Sequence, residues 1–201
     1  DLRERSFSDF IAGAQQVEWL TIGELWSLPS MLRYVLLLRM LRLSEETETA
    51  RRGRREANAA IDRLMAKSDP GLEDFDQSVP KDALHNPAFV AQIIYRLHAR
   101  LERSHTLTEH LSARLELHST TVEQALIAEQ TRQTANNVTA GHVIRALKRL
   151  EEINWREWFE ETSRTEAILR EDPDHLRLAP RTRNLIRTRV EMIARHSRLS
   201  E

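Results

Sequence analysis

Glu102 and His105 stand three residues apart, the spacing by which carboxylate di-metal bundles place a glutamate and a histidine on one helix face. Such a centre needs two of these pairs and further glutamates. The chain offers one pair, close to a helix end, so a surface or capping role is expected. His98, His110 and His118 are scattered and no H-E-x-x-H occurs, which leaves zinc hydrolysis without a motif. Glycines stand only at 13, 23, 53, 71 and 141, so neither G-x-G-x-x-G nor G-x-x-x-x-G-K-[ST] is present to cradle a phosphate, and a G-x-S-x-G elbow is missing too. Cysteine is absent, which removes disulfides, thiolate zinc sites and cysteine nucleophiles together. Glycoside hydrolysis needs two carboxyls facing each other across a cleft, and no such pair is marked out among 31 acids. No catalytic, cofactor-binding or metal-binding residue is therefore assigned, and no cofactor is expected in this segment.

Two further groups could bind rather than react. Arg51-Arg52-Gly53-Arg54-Arg55 is the most basic run and could meet phosphates of nucleic acid or of anionic lipid headgroups. On a helix these arginines spread around the axis, with Glu45, Glu46, Glu48 and Glu56 as near neighbours, so a solvated, charge-balanced face is expected. A formal net charge of −1 speaks against nucleic acid as a partner and leaves anionic lipid headgroups open. Trp155, Trp158 and Phe159 have faces suited to sugar rings, but they share an apolar face with Leu169, and core packing is the expectation.

The elements that must carry these residues read as helices throughout. Leu, Arg, Glu and Ala dominate, Gly and Pro are sparse, and no alternating β-branched run bounded by turns occurs. Thr21 with Glu24, Thr121 with Gln124 and Asn154 with Glu157 have the spacing of N-terminal caps. Pro29 marks a fresh start or a kink. Met31, Leu32, Val35, Leu36, Leu38, Leu41 and Leu43 form an apolar surface broader than one stripe, so burial on several sides is expected there. A polar helix continues to Lys67. After Pro87, Val90, Ile93, Ile94, Leu97 and Leu101 mark one helix face, and Leu107, Leu111 and Leu115 begin another. Further helices are expected after Thr121, after Thr139, from Asn154 to Asp172-Pro173, and from about Thr182 to Arg198 with Ile186, Val190 and Ile193 inward. The fold expected is all-α, an irregular multi-helix bundle or stacked helical hairpins with seven to nine helices. Its organisation reads as an N-terminal helical subdomain over 1–70, a linker or irregular loop over 71–87, and a C-terminal helical bundle over 88–201, the whole being compatible with one continuous domain.

The chain opens at Asp1 without an initiator Met and shows no targeting peptide, and arginines interrupt its most apolar stretch, Leu25 to Leu43. It is expected to be a piece of something longer.

Two blocks go beyond helix physics. One runs Leu20-Thr21-Ile22-Gly23-Glu24-Leu25-Trp26-Ser27-Leu28-Pro29-Ser30-Met31-Leu32-Arg33. The other runs Asn154-Trp155-Arg156-Glu157-Trp158-Phe159-Glu160-Glu161 and on through Glu166-Ala167-Ile168-Leu169-Arg170-Glu171-Asp172-Pro173. With Gln133 to Val138 between them, they resemble the helical region ahead of the glycosyltransferase domain in bacterial cyclic β-glucan synthases. The resemblance extends over roughly 18–195 and is weak between 44 and 122. Thr182, Arg183 and Arg187 fit a T-R-x-x-Y-R-like element of that family, with Ile186 where the tyrosine would stand.

The resemblance implies a parent enzyme of the bacterial inner membrane that polymerises glucose from UDP-glucose in a separate transferase domain. It implies for this segment a soluble, cytoplasmic, non-catalytic scaffold whose partners are other domains of the parent polypeptide. Whether the segment belongs to an enzyme rests on that parent, since no active site is expected within it. The alternatives are a carbohydrate-binding module for the growing glucan and an independent helical adaptor or regulatory protein.

Overall fold

A computed structural model describes residues 4–68, 70–100 and 104–197, and every regular element in them is helical. In chain order these are α1 (Glu4–Ala14), α2 (Ile22–Met65), α3 (Leu72–Ser78), a 3-10 turn (Asp82–His85), α4 (Pro87–Arg100), α5 (Ser104–Glu116), α6 (Val122–Glu152), α7 (Trp155–Thr162), α8 (Arg164–Leu169), α9 (Pro173–Arg177) and α10 (Pro180–His196). Ten α-helices, eight of them seven residues or longer, bear out the all-α expectation among the described residues.

The expected caps form. Thr21 N–H donates to Glu24 Oε2 at 2.8 Å while Glu24 N–H donates back to Thr21 Oγ1 at 3.3 Å. Thr121 and Gln124 repeat this reciprocal pattern at the start of α6, at 3.0 and 3.2 Å, and Asn154 Oδ1 accepts from Glu157 N–H at 3.4 Å. One expected boundary does not form, the choice left open at Pro29 falls to a continuous helix, and one unexpected boundary forms. α2 runs unbroken through Pro29, and α6 runs unbroken past Thr139. The helix expected from Asn154 to Asp172 instead breaks at Ser163, whose N–H donates to Phe159 O, ending α7, while its hydroxyl accepts from Glu166 N–H, starting α8. A serine in extended backbone can serve both ends because its side chain replaces a lost backbone acceptor.

Contacts divide the chain into two units, one of residues 1–39 and 142–201, the other of residues 40–141, so α2 and α6 each contribute to both. In the unit of residues 40–141, Ile61, Leu64, Phe89, Val90, Ile93, Leu97, Leu111 and Leu115 fill one core. The stretch 71–87, read from sequence as a linker or irregular loop, holds α3 and the 3-10 turn. Phe75, Val79 and Leu84 from it are buried in that same core. Arg63 and Arg114 donate to the carbonyls of Ser78 and Val79 at 3.2 and 3.0 Å, satisfying backbone that α3 leaves open at its end. Gly53 makes a close approach here: a Cβ on it would lie 2.4 Å from Asn86 Nδ2, so the Asn86 side chain would have to move. Asn86 sits against α2 and caps α4 through Ala88 N–H at 3.0 Å.

In the unit of residues 1–39 and 142–201, Phe7, Ile11, Ile22, Leu25, Trp158 and Phe159 form the core, with Leu28, Leu32 and Trp155 half-buried against it. Phe7 stacks on Trp158 at 5.2 Å between centroids and meets Trp155 edge-on at 6.0 Å. The indole N–H groups are satisfied, Trp158 by Ser8 Oγ at 3.1 Å and Trp155 by Leu150 O at 2.9 Å. Core packing is thus borne out for Trp158 and Phe159. The oily part of α2 is a correction: Leu43 is buried and Leu32 and Leu36 are half-buried, but Met31, Val35, Leu38 and Leu41 are exposed. Neighbouring helices cover one face of α2 here, not several.

Candidate functional site

Ser163 turns the chain between α7 and α8 so that Glu160 and Glu166 face the same neighbour, α10. Arg187 of α10 donates from Nε to Glu166 Oε2 at 2.7 Å and from Nη2 to Glu160 Oε1 at 3.0 Å. Arg170 repeats the bridge, reaching Glu166 Oε1 at 3.2 Å and Glu160 Oε2 at 3.0 Å. Arg183 adds an ion pair to Glu160 at 3.2 Å, and the buried His175 ring stands 3.4 Å from Glu166. Glu166 is fully buried and Arg187 only 2% exposed. The Arg187 guanidinium also lies 5.2 Å over the ring of Phe159, which joins the ion network to the aromatic core.

Burial pushes the Glu166 carboxyl up. The hydrogen bond and charge of Arg187, with help from Arg170 and His175, outweigh this and hold it below the usual glutamate range. Glu160 is lowered in the same way, burial opposing and Arg187 and Arg183 prevailing. Arg187 is raised, since its two carboxylates outweigh the desolvation that opposes them. Both carboxyls are therefore held ionised and occupied, whereas a general acid needs a carboxyl kept protonated near neutral pH.

Arg187 also lines an open cleft of about 480 Å³ together with Trp26, Arg156, Pro180, Arg181 and Asn184. Trp26 lies flat on Phe159, with centroids 4.7 Å apart and planes 23° apart, and is 39% exposed. An aromatic face bordered by guanidinium and amide groups is chemically suited to a polar ring bearing hydroxyls.

The residues singled out in the sequence fall elsewhere. Glu102 lies outside the described residues, and His105 pairs with Glu109 at 3.4 Å on the surface. His110 contacts Asp76 at 2.9 Å, and His118 meets His85 edge-on at 4.9 Å. Among the described residues, no group of three or more His, Asp or Glu is placed to hold a metal ion. The basic run is drawn into structure: Arg55 pairs with Glu48 at 2.5 Å, and Arg54 crosses to Glu129 of α6 at 3.0 Å. Glu129 is buried, and Arg132 and Gln133 also bond to it.

Sequence periodicity missed the ion network. Ile186 and Val190 are half-buried and Ile193 is exposed, while the fully buried residue of α10 is an arginine. The available signal lay in the Glu160, Glu166 and Arg170 positions of one resemblance block and in Arg183 and Arg187 of the T-R-x-x-Y-R-like element.

Fold and site together define a helical segment in which the buried charges are committed to holding helices together. No family model matches the chain. Over 198 residues, 98% of its length, it is 38% identical to the cyclic beta-(1,2)-glucan synthase NdvB of Rhizobium meliloti (strain 1021), and it spans 7% of that protein's length. The chain is a homologue of one segment of a cyclic glucan synthase, as its two sequence blocks had indicated.

Proposed function

We propose that the chain is a non-catalytic helical scaffold within a cyclic β-glucan synthase, packed against a separate domain that transfers glucosyl units from UDP-glucose. The observation that carries this reading is similarity along 98% of the chain to a glucan synthase of which the chain spans only 7%. The commitment of Glu160 and Glu166 to arginines supports the non-catalytic part, because neither carboxylate is left to move a proton or attack a substrate. In this reading the segment lies on the cytoplasmic side of an inner-membrane enzyme, and its partners are other domains of the same polypeptide.

The test is Arg187→Ala in the complete synthase, assayed for glucan synthesis in membranes at matched protein abundance. Activity should fall with the amount of intact enzyme while the KM for the sugar-nucleotide donor stays unchanged. A variant of normal abundance and stability with an altered donor KM would refute the scaffold role. An immunoblot of native cells gives a further check, since a free-standing band near 23.4 kDa would favour an independent adaptor.

The Trp26 cleft favours a second reading, a holding site for glucan. Here Trp26→Ala would abolish binding of a linear β-1,2-glucan to the chain in calorimetry. No binding by the unaltered chain would remove this reading.

A further inference from the structure

From Leu25 to Ser44 the sequence contains three arginines and no acidic residue, in a chain whose net charge is −1. In α2 this stretch presents two opposite faces. Ile22, Leu25 and Pro29 are buried, with Leu32 and Leu36 half-buried beside them. On the other side Met31 is 57% exposed, Tyr34 63%, Val35 60%, Leu37 58% and Leu38 38%. At about 100° per residue, those five side chains fall in the angular order Leu37, Tyr34, Leu38, Met31, Val35 and cover an arc of about 160°. The third arginine, exposed Arg42, falls at an angle inside the arc, just over one turn beyond Leu38, while Arg33 stands about 40° beyond one edge of the arc and Arg39 about 40° beyond the other. Both edge arginines are exposed, and neither makes an ion pair among the described residues.

We infer that this face of α2 lies on an anionic membrane surface, with the apolar arc in the headgroup–acyl boundary and Arg33 and Arg39 on lipid phosphates. The charge pattern selects this occupant. A second copy of the same face would bring Arg33 and Arg39 against like charges, whereas an anionic bilayer complements both edges at once. The arginine stems are long enough to lie along the apolar boundary while their heads reach the phosphates. The helix rests on the bilayer and does not cross it, since no helix among the described residues is long and apolar enough to span one. This inference rests on exposure and charge alone and stands apart from the glucan-synthase reading.

The experiment is co-sedimentation of the 201-residue chain with vesicles of phosphatidylcholine alone or of phosphatidylcholine with 30–40% phosphatidylglycerol. Two arginines at the surface should strengthen binding to the anionic vesicles by about 30-fold over the neutral ones, and the gain should collapse in high salt. Val35→Glu/Leu38→Glu, at exposed positions, should leave helicity and melting temperature unchanged and abolish sedimentation. Arg33→Gln/Arg39→Gln should remove the preference for anionic vesicles. The inference is overturned if the unaltered chain ignores anionic vesicles or if the Glu variant still sediments. It is overturned equally if light scattering shows a dimer that the Glu variant disperses and vesicles do not bind, which would assign the face to a second copy.

Discussion

Arg187 and Glu166 are both withdrawn from water, so each depends on the other's charge. Removing one partner of such a pair leaves an uncompensated buried ion, and Arg187→Ala should cost about 3–5 kcal/mol in denaturant unfolding. Glu160 and Glu166 also make stability depend on acid. Their folded-state values are lowered from 4.5, so the stability they contribute is complete above that value. It is lost as pH falls through 4.5 towards the folded values. Melting temperature should therefore drop steeply below pH 4.5, and Glu166→Gln should flatten that drop. The tryptophans separate two kinds of aromatic residue that look alike in sequence. Trp158→Ala, at a buried position, should cost about 3–5 kcal/mol, and Trp26→Ala distinctly less because 39% of Trp26 already meets solvent. Equal losses for the two would mean that Trp26 packs as tightly as Trp158.

At the level of elements, helix starts were legible because a cap is a local event: Thr21 with Glu24 and Thr121 with Gln124 need only their own four residues. Helix ends and interruptions were less so. Ser163 breaks a helix that composition would carry on to Asp172, while Thr139 starts no new one. The break at Ser163 does carry a local signal, since Ser163 and Glu166 have the same three-residue cap spacing as Thr21 and Glu24. The stretch 71–87 was misread for another reason. Its apolar residues are too few to show a period, yet Phe75 and Val79, four residues apart, both enter the core completely. Phe75→Ala should therefore cost about 3–5 kcal/mol, where a residue in a true linker would cost almost nothing. Amphipathic counting also failed on α2 and α10, in opposite directions. α2 exposes apolar side chains and α10 buries a charged one, so on neither helix does hydrophobicity alone identify the inward face.

On the scale of the molecule, the fold class was legible from composition, because an excess of helix formers with few glycines and prolines leaves little else to build. The division into units was not legible, since it depends on contacts between residues far apart in the chain. Local probes can test it by hydrogen exchange. Arg187→Ala should speed exchange in α7 to α10 more than in α4 and α5, and Phe75→Ala should do the reverse. Uniform acceleration by both variants would show that the two units open as one. The order of the units along the chain has a temporal side as well. Ser8 and its partner Trp158 are 150 residues apart, and all of residues 40–141 are made between them. At about 5–20 residues per second, a ribosome needs on the order of 8–30 s to deliver the second after the first. During synthesis Phe7 and Ile11 have Ile22 and Leu25 of their core at hand but lack Trp158 and Phe159 for that interval. The inserted unit is complete at residue 141, 14 residues ahead of Trp155, so at the same rate it precedes the tryptophans of the other core by only about 1–3 s.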